Sequence, residues 1–303
     1  MEEVSLDQRA HISVMPQEVM HWLRVRPGSV VVDGTLGLAG HSILIAEALG
    51  SQGHLIGIDK DKTSLTEAKK RLASCSLRVD LLEGSFGDVE RFLAEVKIKA
   101  VDGVLLDLGI SSFQLDDETR GFSFLKDGPL DMRMDQSKGL TAADLVNTLK
   151  EEELVRIIEE YGEDRLARRI AKAIVWRRAE ERILTTGQLA KIVLRSLPAS
   201  YQRGRIHPAT RTFQALRIVV NQELEYLKDA LTHWFEALNP QGRMCVIAFH
   251  SLEDRIVKQT FKALAEDGRG QILTKKPLEP TQAECQVNAR SRSAKLRVIE
   301  RVS

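Results

Sequence analysis

The chain has 303 residues, 43% of them apolar and 29% charged, with a formal net charge of +1. Those proportions suit one large globular domain or two ordinary ones. No apolar run reaches the roughly 18 residues of a bilayer span, and the acidic start Met1-Glu2-Glu3-Val4 lacks a signal-peptide core, so a cytoplasmic protein with no membrane partner is expected.

In chain order, Val30-Val31-Val32-Asp33 reads as a buried strand, the glycines after it as a tight turn, and Ser42 to Leu49 as a helix. A second apolar run, Leu55-Ile56-Gly57-Ile58, stops at Asp59. Glycine lets a backbone approach a ligand closely because it has no Cβ. An acid at the second strand tip is placed to accept hydrogen bonds from two ribose hydroxyls. The glycines alone fit a strand-turn-helix with no ligand equally well, and Asp59 tips the balance toward a nucleotide cofactor. The spacing Asp33-Gly34-x-x-Gly37-x-x-Gly40 is not the G-x-G-x-x-G of dinucleotide sites, whose glycines pack under a pyrophosphate. S-adenosylmethionine has no phosphate, and its binding loop needs room for an amino-acid tail and an acid near the tail's ammonium. Asp33 supplies that acid, which favours a methyltransferase over a dehydrogenase.

The alternation then continues. Thr63 to Ala73 is predicted helical, Leu77 to Leu82 is a strand followed by Glu83-Gly84-Ser85-Phe86, Val89 to Glu95 is a helix, and Val101 to Asp107 is a fourth strand. This rhythm predicts a parallel sheet with helices on both faces, whose ligands bind beyond the carboxyl ends of the strands. Asp33, Asp59, Phe86 and Asp107 all fall there. The loop Asp107 to Asp116 bears on reaction type. Methylating an exocyclic base amine is difficult because the nitrogen lone pair is delocalised into the ring. An acceptor for an amino hydrogen helps to localise it. Asp107 suits that task or a hold on the cofactor, and Gln114 can orient either partner. The D/N/S-P-P-aromatic motif frequent in amino-methyltransferases is matched only in its acid.

The next sheet strand is expected at Arg243 to Phe249, entered through the turn Asn239-Pro240-Gln241-Gly242, which leaves 135 intervening residues, 108–242. A crossover needs on the order of 25–40, so roughly 100 are surplus, enough for a small domain. Within them lie helical patterns at Thr141 to Leu149, Glu151 to Tyr161, Arg165 to Arg178 and Thr186 to Leu197, with one helix from Thr212 to Leu238 returning to the sheet. In the third, Leu166, Ile170, Ala173 and Ile174 form an apolar stripe and Arg165, Arg168, Arg169 and Lys172 lie on another face. Charge is segregated: Asp116 to Asp164 holds 14 acidic and 6 basic residues, Arg165 to Arg211 holds 12 basic and 2 acidic. The basic block suits a polyanion, or a solvated face balanced by its acidic neighbour.

Arg120 to Phe124 with Asp127 to Asp135, which includes Arg133, fits a lid or a packed connector. His207 to Gln214, with Arg211, fits a phosphate or a helix cap. His250 follows the fifth strand on the ligand side, as a packed histidine or a functional one. Lys275 to Gln286 reads as a loop, Asn288 to Ser293 as a connector or an RNA contact, and Lys295 to Arg301 as a last strand at the sheet edge. Cys75, Cys245 and Cys285 form no C-x-x-C pair and no zinc spacing, which points to reduced thiols and no bound metal.

The segments Asp33-Gly34-Thr35 with Gly40-His41-Ser42, Leu106 to Ser112, Gly128 to Asp135, His207 to Gln214 and Phe249 to Arg255 resemble the bacterial 16S ribosomal RNA cytosine-N4 methyltransferase family (the MraW or RsmH type), from about His11 to Arg301. The resemblance implies an α/β class I S-adenosylmethionine-dependent methyltransferase fold, Rossmann-like, carrying an inserted all-helical domain. The expected parts are 1–115 and 212–303 for the methyltransferase domain and 116–211 for the insertion. It further implies methyl transfer to the N4 amine of a cytosine in the decoding centre of the small ribosomal subunit, near the P site. The family's cofactor contacts fall on Ala39, Gly40, His41, Asp59, Phe86, Asp107 and Gln114, with Phe86 stacked beside the adenine and Asp59 on the ribose. Asp33 and Gly37 join them from the loop reading, Asp107 is the catalytic candidate, and Arg133, Arg168, Arg169, Lys172, Arg211 and His250 are the RNA candidates. Ala39 stands where many relatives have glycine, and Ala289 where a relative has proline; neither change removes a polar group. Rival readings are a methyltransferase for another RNA, a protein or a small molecule, and a non-catalytic RNA-binding assembly factor. Oligomeric state is left open.

Overall fold

The computed structural model describes residues 12–202 and 207–302, so the acidic start and His11 lie outside the described residues. The chain forms two units, Met1–Gly109 with Tyr226–Ser303, and Ile110–Glu225. The second unit begins before residue 116 and extends past 211. It keeps only the first part of the helix expected from Thr212 to Leu238.

Strands of the first unit are β1 (Val30–Asp33), β2 (His54–Asp59), β3 (Arg78–Glu83), β4 (Val101–Asp107), β5 (Leu238–Ala248), β6 (Gly270–Ile272) and β7 (Lys295–Arg301). Its helices, numbered along the whole chain, are α1 (Pro16–Leu23), α2 (Gly40–Leu49), α3 (Lys62–Leu72), α4 (Val89–Val96), α12 (Leu227–Glu236), α13 (Ser251–Glu266) and α14 (Gln282–Val287). The sheet order is β3-β2-β1-β4-β5-β7-β6. The first five strands pair in parallel, and β7 runs antiparallel to both β5 and β6. That order is the class I methyltransferase topology. Its switch point lies between β1 and β4, where the winding reverses and a crevice opens.

The strands are near-continuous Val, Ile and Leu because both faces are covered. Val31, Leu55, Leu105, Ile247 and Val298 join residues of α1, α2 and α3 in one core. Phe92, Trp234, Phe235 and Phe261 are fully buried on α4, α12 and α13. Each contributes about 2–3 kcal/mol of apolar transfer, which holds the strand ends in fixed register.

Several elements differ from expectation. β7 is not an edge strand, because β6 pairs outside it. The Asn239 to Gly242 turn lies within β5 as an irregularity: Val101 pairs with Leu238 and Gly103 already with Arg243. Gln241 there takes φ 65°. The expected Thr212 to Leu238 helix is two, because Gln222 ends the first with φ 52°. Part of the expected Lys275 to Gln286 loop is α14, capped by Thr281.

The second unit is helical: α5 (Ser112–Asp116), α6 (Ala142–Thr148), α7 (Glu151–Gly162), α8 (Ala167–Glu180), α9 (Thr186–Ser196), α10 (Ala199–Gln202) and α11 (Thr210–Asn221). Thr141 and Thr185 start α6 and α9 with capping boxes, each hydroxyl accepting the backbone N–H three residues on. Leu145, Leu154, Ile158, Ile170, Ile174, Leu189, Val193 and Leu216 form its core, shared with Phe122, Leu130 and Met132. The segment read as lid or connector is therefore packed. Arg120 is buried and donates to the carbonyls of Arg133 (3.1 Å) and Met134 (2.8 Å). Gly121, at φ 71°, leaves no room for a Cβ against the Pro129 carbonyl.

Candidate functional site

At the β1 tip the chain must turn under neighbouring strands. A Cβ on Gly34 would stand 2.5 Å from Leu106 Cδ2 and 3.2 Å from the Cβ of Phe86, so a side chain there would have to displace Leu106 and crowd Phe86. Asp33 is almost wholly buried, accepting from the Ser42 hydroxyl (2.7 Å) and the Thr35 N–H (3.2 Å). Burial raises its pKa, against the pull of those bonds and of His41. Its carboxylate thus ties β1 to the start of α2 and does not face outward as the sequence reading assumed. Thr35 Oγ1 accepts the backbone N–H of Asp107 at 2.6 Å, which locks the β1 and β4 tips together.

Ala39 is buried in a left-handed conformation (φ 61°) and hands over to α2 at Gly40. Such a turn is ordinarily glycine's, which is consistent with the Gly-Gly-His of many relatives. Beyond it His41 is buried, with Nε2 3.5 Å from Asp107 Oδ2, too long for a good hydrogen bond. Neither ring nitrogen of His41 nor Oδ1 of Asp107 has a hydrogen-bond partner among the described residues. Burial works to lower the His41 pKa, but the Asp107 carboxylate and the charge of Asp33 outweigh it and raise the value. Buried polar atoms without partners are costly, so this pair marks a place built for a polar ligand.

The β2 tip is organised by Asp59. Its Oδ2 accepts the Gly37 N–H and its Oδ1 the Asp61 N–H, both at 2.8 Å. Burial pushes its pKa up to about 6, against those two bonds. Each carboxylate oxygen keeps a second lone pair for a hydroxyl. After β3, the Phe86 carbonyl accepts the indole N–H of Trp234 at 2.7 Å, which fixes the half-buried Phe86 ring beside Gly34. The structure thus gathers Asp33, Gly37, Ala39, Gly40, His41, Asp59, Phe86 and Asp107 at the strand tips. It adds Thr35 and Ser42, to which no role was assigned. Hydroxyls two and nine residues after a strand-ending acid are the signal that could have found them.

His250 lies beyond β5 as the N-cap of α13. Its Nδ1 accepts the Glu253 N–H (3.3 Å), and Glu253 in turn accepts the N–H of Phe249 (2.8 Å). The packed reading of His250 describes that arrangement. Asn288 caps the short turn Ala289–Ser293, in which Ser291 is buried, so that segment is a folded connector.

In the second unit, Gln114 is buried, and its side-chain oxygen accepts the Ser111 N–H at 3.2 Å in the capping box of α5. Arg133 grips the Asp131 carboxylate through Nε and Nη2, both at 2.8 Å. Arg211 donates to the Glu163 carbonyl at the end of α7 (3.0 Å). Arg168, Arg169 and Lys172 are exposed on α8. Arg211 is exposed as well, although it is tied to the Glu163 carbonyl, whereas Arg133 and His250 are engaged inside their own units.

Residues 8–302 match the profile of the MraW methylase family. Among curated relatives, a protein of Syntrophotalea carbinolica named "Ribosomal RNA small subunit methyltransferase H" is 52% identical, covering 96% of this chain and 98% of its own. Identically named proteins of Citrifermentans bemidjiense and Brevibacillus brevis are 49% and 45% identical over the same shares.

Proposed function

The chain belongs to the MraW methylase family, and from that premise we propose that it transfers the methyl group of S-adenosylmethionine to the N4 amine of a cytosine in small-subunit 16S ribosomal RNA, in the decoding centre near the P site. The observation that carries the reading is the His41 and Asp107 pair, whose ring nitrogens and Oδ1 are buried with no hydrogen-bond partner among the described residues where the sheet winding reverses. The residues present fit the cofactor. The Cβ-free approach at Gly34 leaves space beside Phe86, and Asp59 offers two acceptor oxygens for ribose hydroxyls. Ala39, Gly40 and His41 line the turn for the amino-acid tail, and Phe86 flanks the adenine. Asp33, Thr35 and Ser42 act as positioning residues, since their polar atoms hold the strand tips together. Gln114, expected among the cofactor contacts, belongs to the second unit, where it completes the capping box of α5.

When bound, S-adenosylmethionine supplies a sulfonium methyl open to in-line attack. Asp107 Oδ1 accepts a hydrogen from the amine, shifts its lone pair toward the reacting nitrogen, and takes the proton that must leave. His41, with Nε2 3.5 Å from Asp107 Oδ2, faces that carboxylate and orients it. The exposed Arg168, Arg169 and Lys172 neutralise phosphates, and the cytosine leaves its stack unless the RNA is already single-stranded. The helices of the described residues include none long and apolar enough to cross a membrane. That is consistent with a place among cytoplasmic ribosomal subunits.

The test is transfer from labelled S-adenosylmethionine to small subunits lacking the modification, with the product mapped by nucleoside mass spectrometry. Label on a cytosine amine is expected; its absence sinks the proposal.

A further inference from the structure

The second unit carries a large aromatic side chain that its core leaves out. Trp176 is 66% exposed on α8, although Ile170, Ala171 and Ile174 of the same helix are buried. It borders a depression of about 330 Å³ between α8 and α9, lined also by Arg177, Arg182, Lys191, Ile192 and Arg195. The spacing explains the lining: Ala173, Trp176 and Arg177 lie on one side of α8, and Gln188, Lys191, Ile192 and Arg195 on one side of α9.

Charge on this face is one-sided. Arg177 is spent on Glu180 and Glu181, each at 2.7 Å. Arg182, Lys191 and Arg195 are exposed and form no ion pair within 4 Å among the described residues, although Arg182 acts at longer range on Asp144 and Lys191 on Asp127. Arg169 and Lys172 precede Trp176 by seven and four residues, so all three share one stripe of α8. Cations at about one per helical turn therefore lead up to an aromatic ring, and more cations stand beyond it. No ring or guanidinium of the described residues stacks on that ring.

The centres of protein interfaces are depleted of charge, lysine included, whereas this depression is ringed by Arg177, Arg182, Lys191 and Arg195. One exposed ring among unpaired cations is instead what single-stranded nucleic acid requires. Stacking on the indole is tolerant of sequence because every base has a π face, and the flanking charges follow the phosphates. We propose that the groove between α8 and α9 is a second RNA site, in which one unpaired base of the substrate stacks on Trp176 while Arg182, Lys191 and Arg195 hold adjacent phosphates. The proposal rests on the RNA-methyltransferase reading and adds to it a contact remote in sequence from the strand-tip residues.

The experiment compares wild type, Trp176→Ala, Trp176→Phe and Lys191→Glu/Arg195→Glu in methyl transfer to small subunits lacking the modification, over a range of salt. Trp176→Ala should raise KM about tenfold with kcat and cofactor Kd unchanged, as loss of one base stack implies. Trp176→Phe should restore most of that loss. The double charge reversal should raise KM further and flatten the salt dependence. A KM unchanged in Trp176→Ala, with wild type still methylating subunits, overturns the groove and leaves the RNA reading intact. No transfer even by wild type overturns the RNA reading itself. If Trp176→Ala instead converts a dimer to monomers at constant KM, the face joins copies of this chain and the proposal fails.

Discussion

The two units place their polar chemistry in opposite environments. In the sheet unit the candidate groups are buried at strand ends, and two of them, His41 and Asp107, keep hydrogen-bonding capacity that no neighbour uses. In the helical unit the available charges, from Arg168 to Arg195, project into solvent, and the half-buried Arg133 is paired with Asp131. Burial amplifies electrostatics and makes each atom's position matter, whereas water screens exposed charges and makes them interchangeable. Single substitutions should therefore act steeply in the first unit and gradually in the second.

The largest expected effect is at the strand tips. Asp107→Asn should lower single-turnover methyl transfer by about 10²-fold or more, the usual worth of a positioned proton acceptor. Cofactor Kd by calorimetry should change far less; equal losses in both would reassign Asp107 to the cofactor. Gly34→Ala follows, because its methyl must displace Leu106 and Phe86. A loss of about 1–3 kcal/mol in stability, read by thermal denaturation, and a weakened cofactor site are expected from such overpacking. An unperturbed Gly34→Ala protein would mean that the tip is softer than the comparison assumes.

Asp59 offers a pH test. Its carboxyl titrates at about 6, above the ordinary aspartate value. Accepting two hydroxyls favours the ionised form, so cofactor affinity should hold above that pH and fall as pH drops through it. Asp59→Asn should bind weakly at every pH. Because the folded value of Asp59 lies above the ordinary aspartate value, wild type without cofactor should lose heat stability as pH rises from about 4 through about 6. Calorimetric titrations across the range, with paired melting curves, check both.

The smallest effects belong to α8. Arg168→Ala, Arg169→Ala and Lys172→Ala should each weaken subunit binding a few-fold and reduce the salt slope by about 0.7, in proportion to the phosphates lost. One of them abolishing activity at constant binding would break the contrast between the units.

The same contrast explains what could be read ahead of the fold. Val30 to Asp33, Leu55 to Asp59 and Val101 to Asp107 announce themselves because burial on both faces demands unbroken apolar runs, and each run ends at a charge. β6 has only three residues and no such signature. β7 was legible as a strand, but its pairing with β5 and β6 depends on long-range register that no local pattern encodes. The break between α11 and α12 sits at Gln222, a left-handed residue that is neither glycine nor asparagine. At the site, acids at strand ends were legible and their partners were not. Whether Asp33 faces a ligand or Ser42 depends on side-chain direction, and whether Arg133 meets a phosphate or Asp131 depends on a local fork. Trp176 drew no notice, since a tryptophan in an amphipathic helix reads as core until its exposure is known.

β6 has no neighbour but β7, and β4 waits 130 residues for its partner strand β5 (positions 108–237). During synthesis, then, β1 to β4 can associate early, while half of the central pairing surface stays unoccupied until the helical unit has been made. Closure of the sheet is a late event that needs β7. A ribosome stalling ahead of Lys295 would release a chain with the cofactor loops largely written but two sheet edges bare, open to self-association. Quality control of this protein is in that sense concentrated in its final strand.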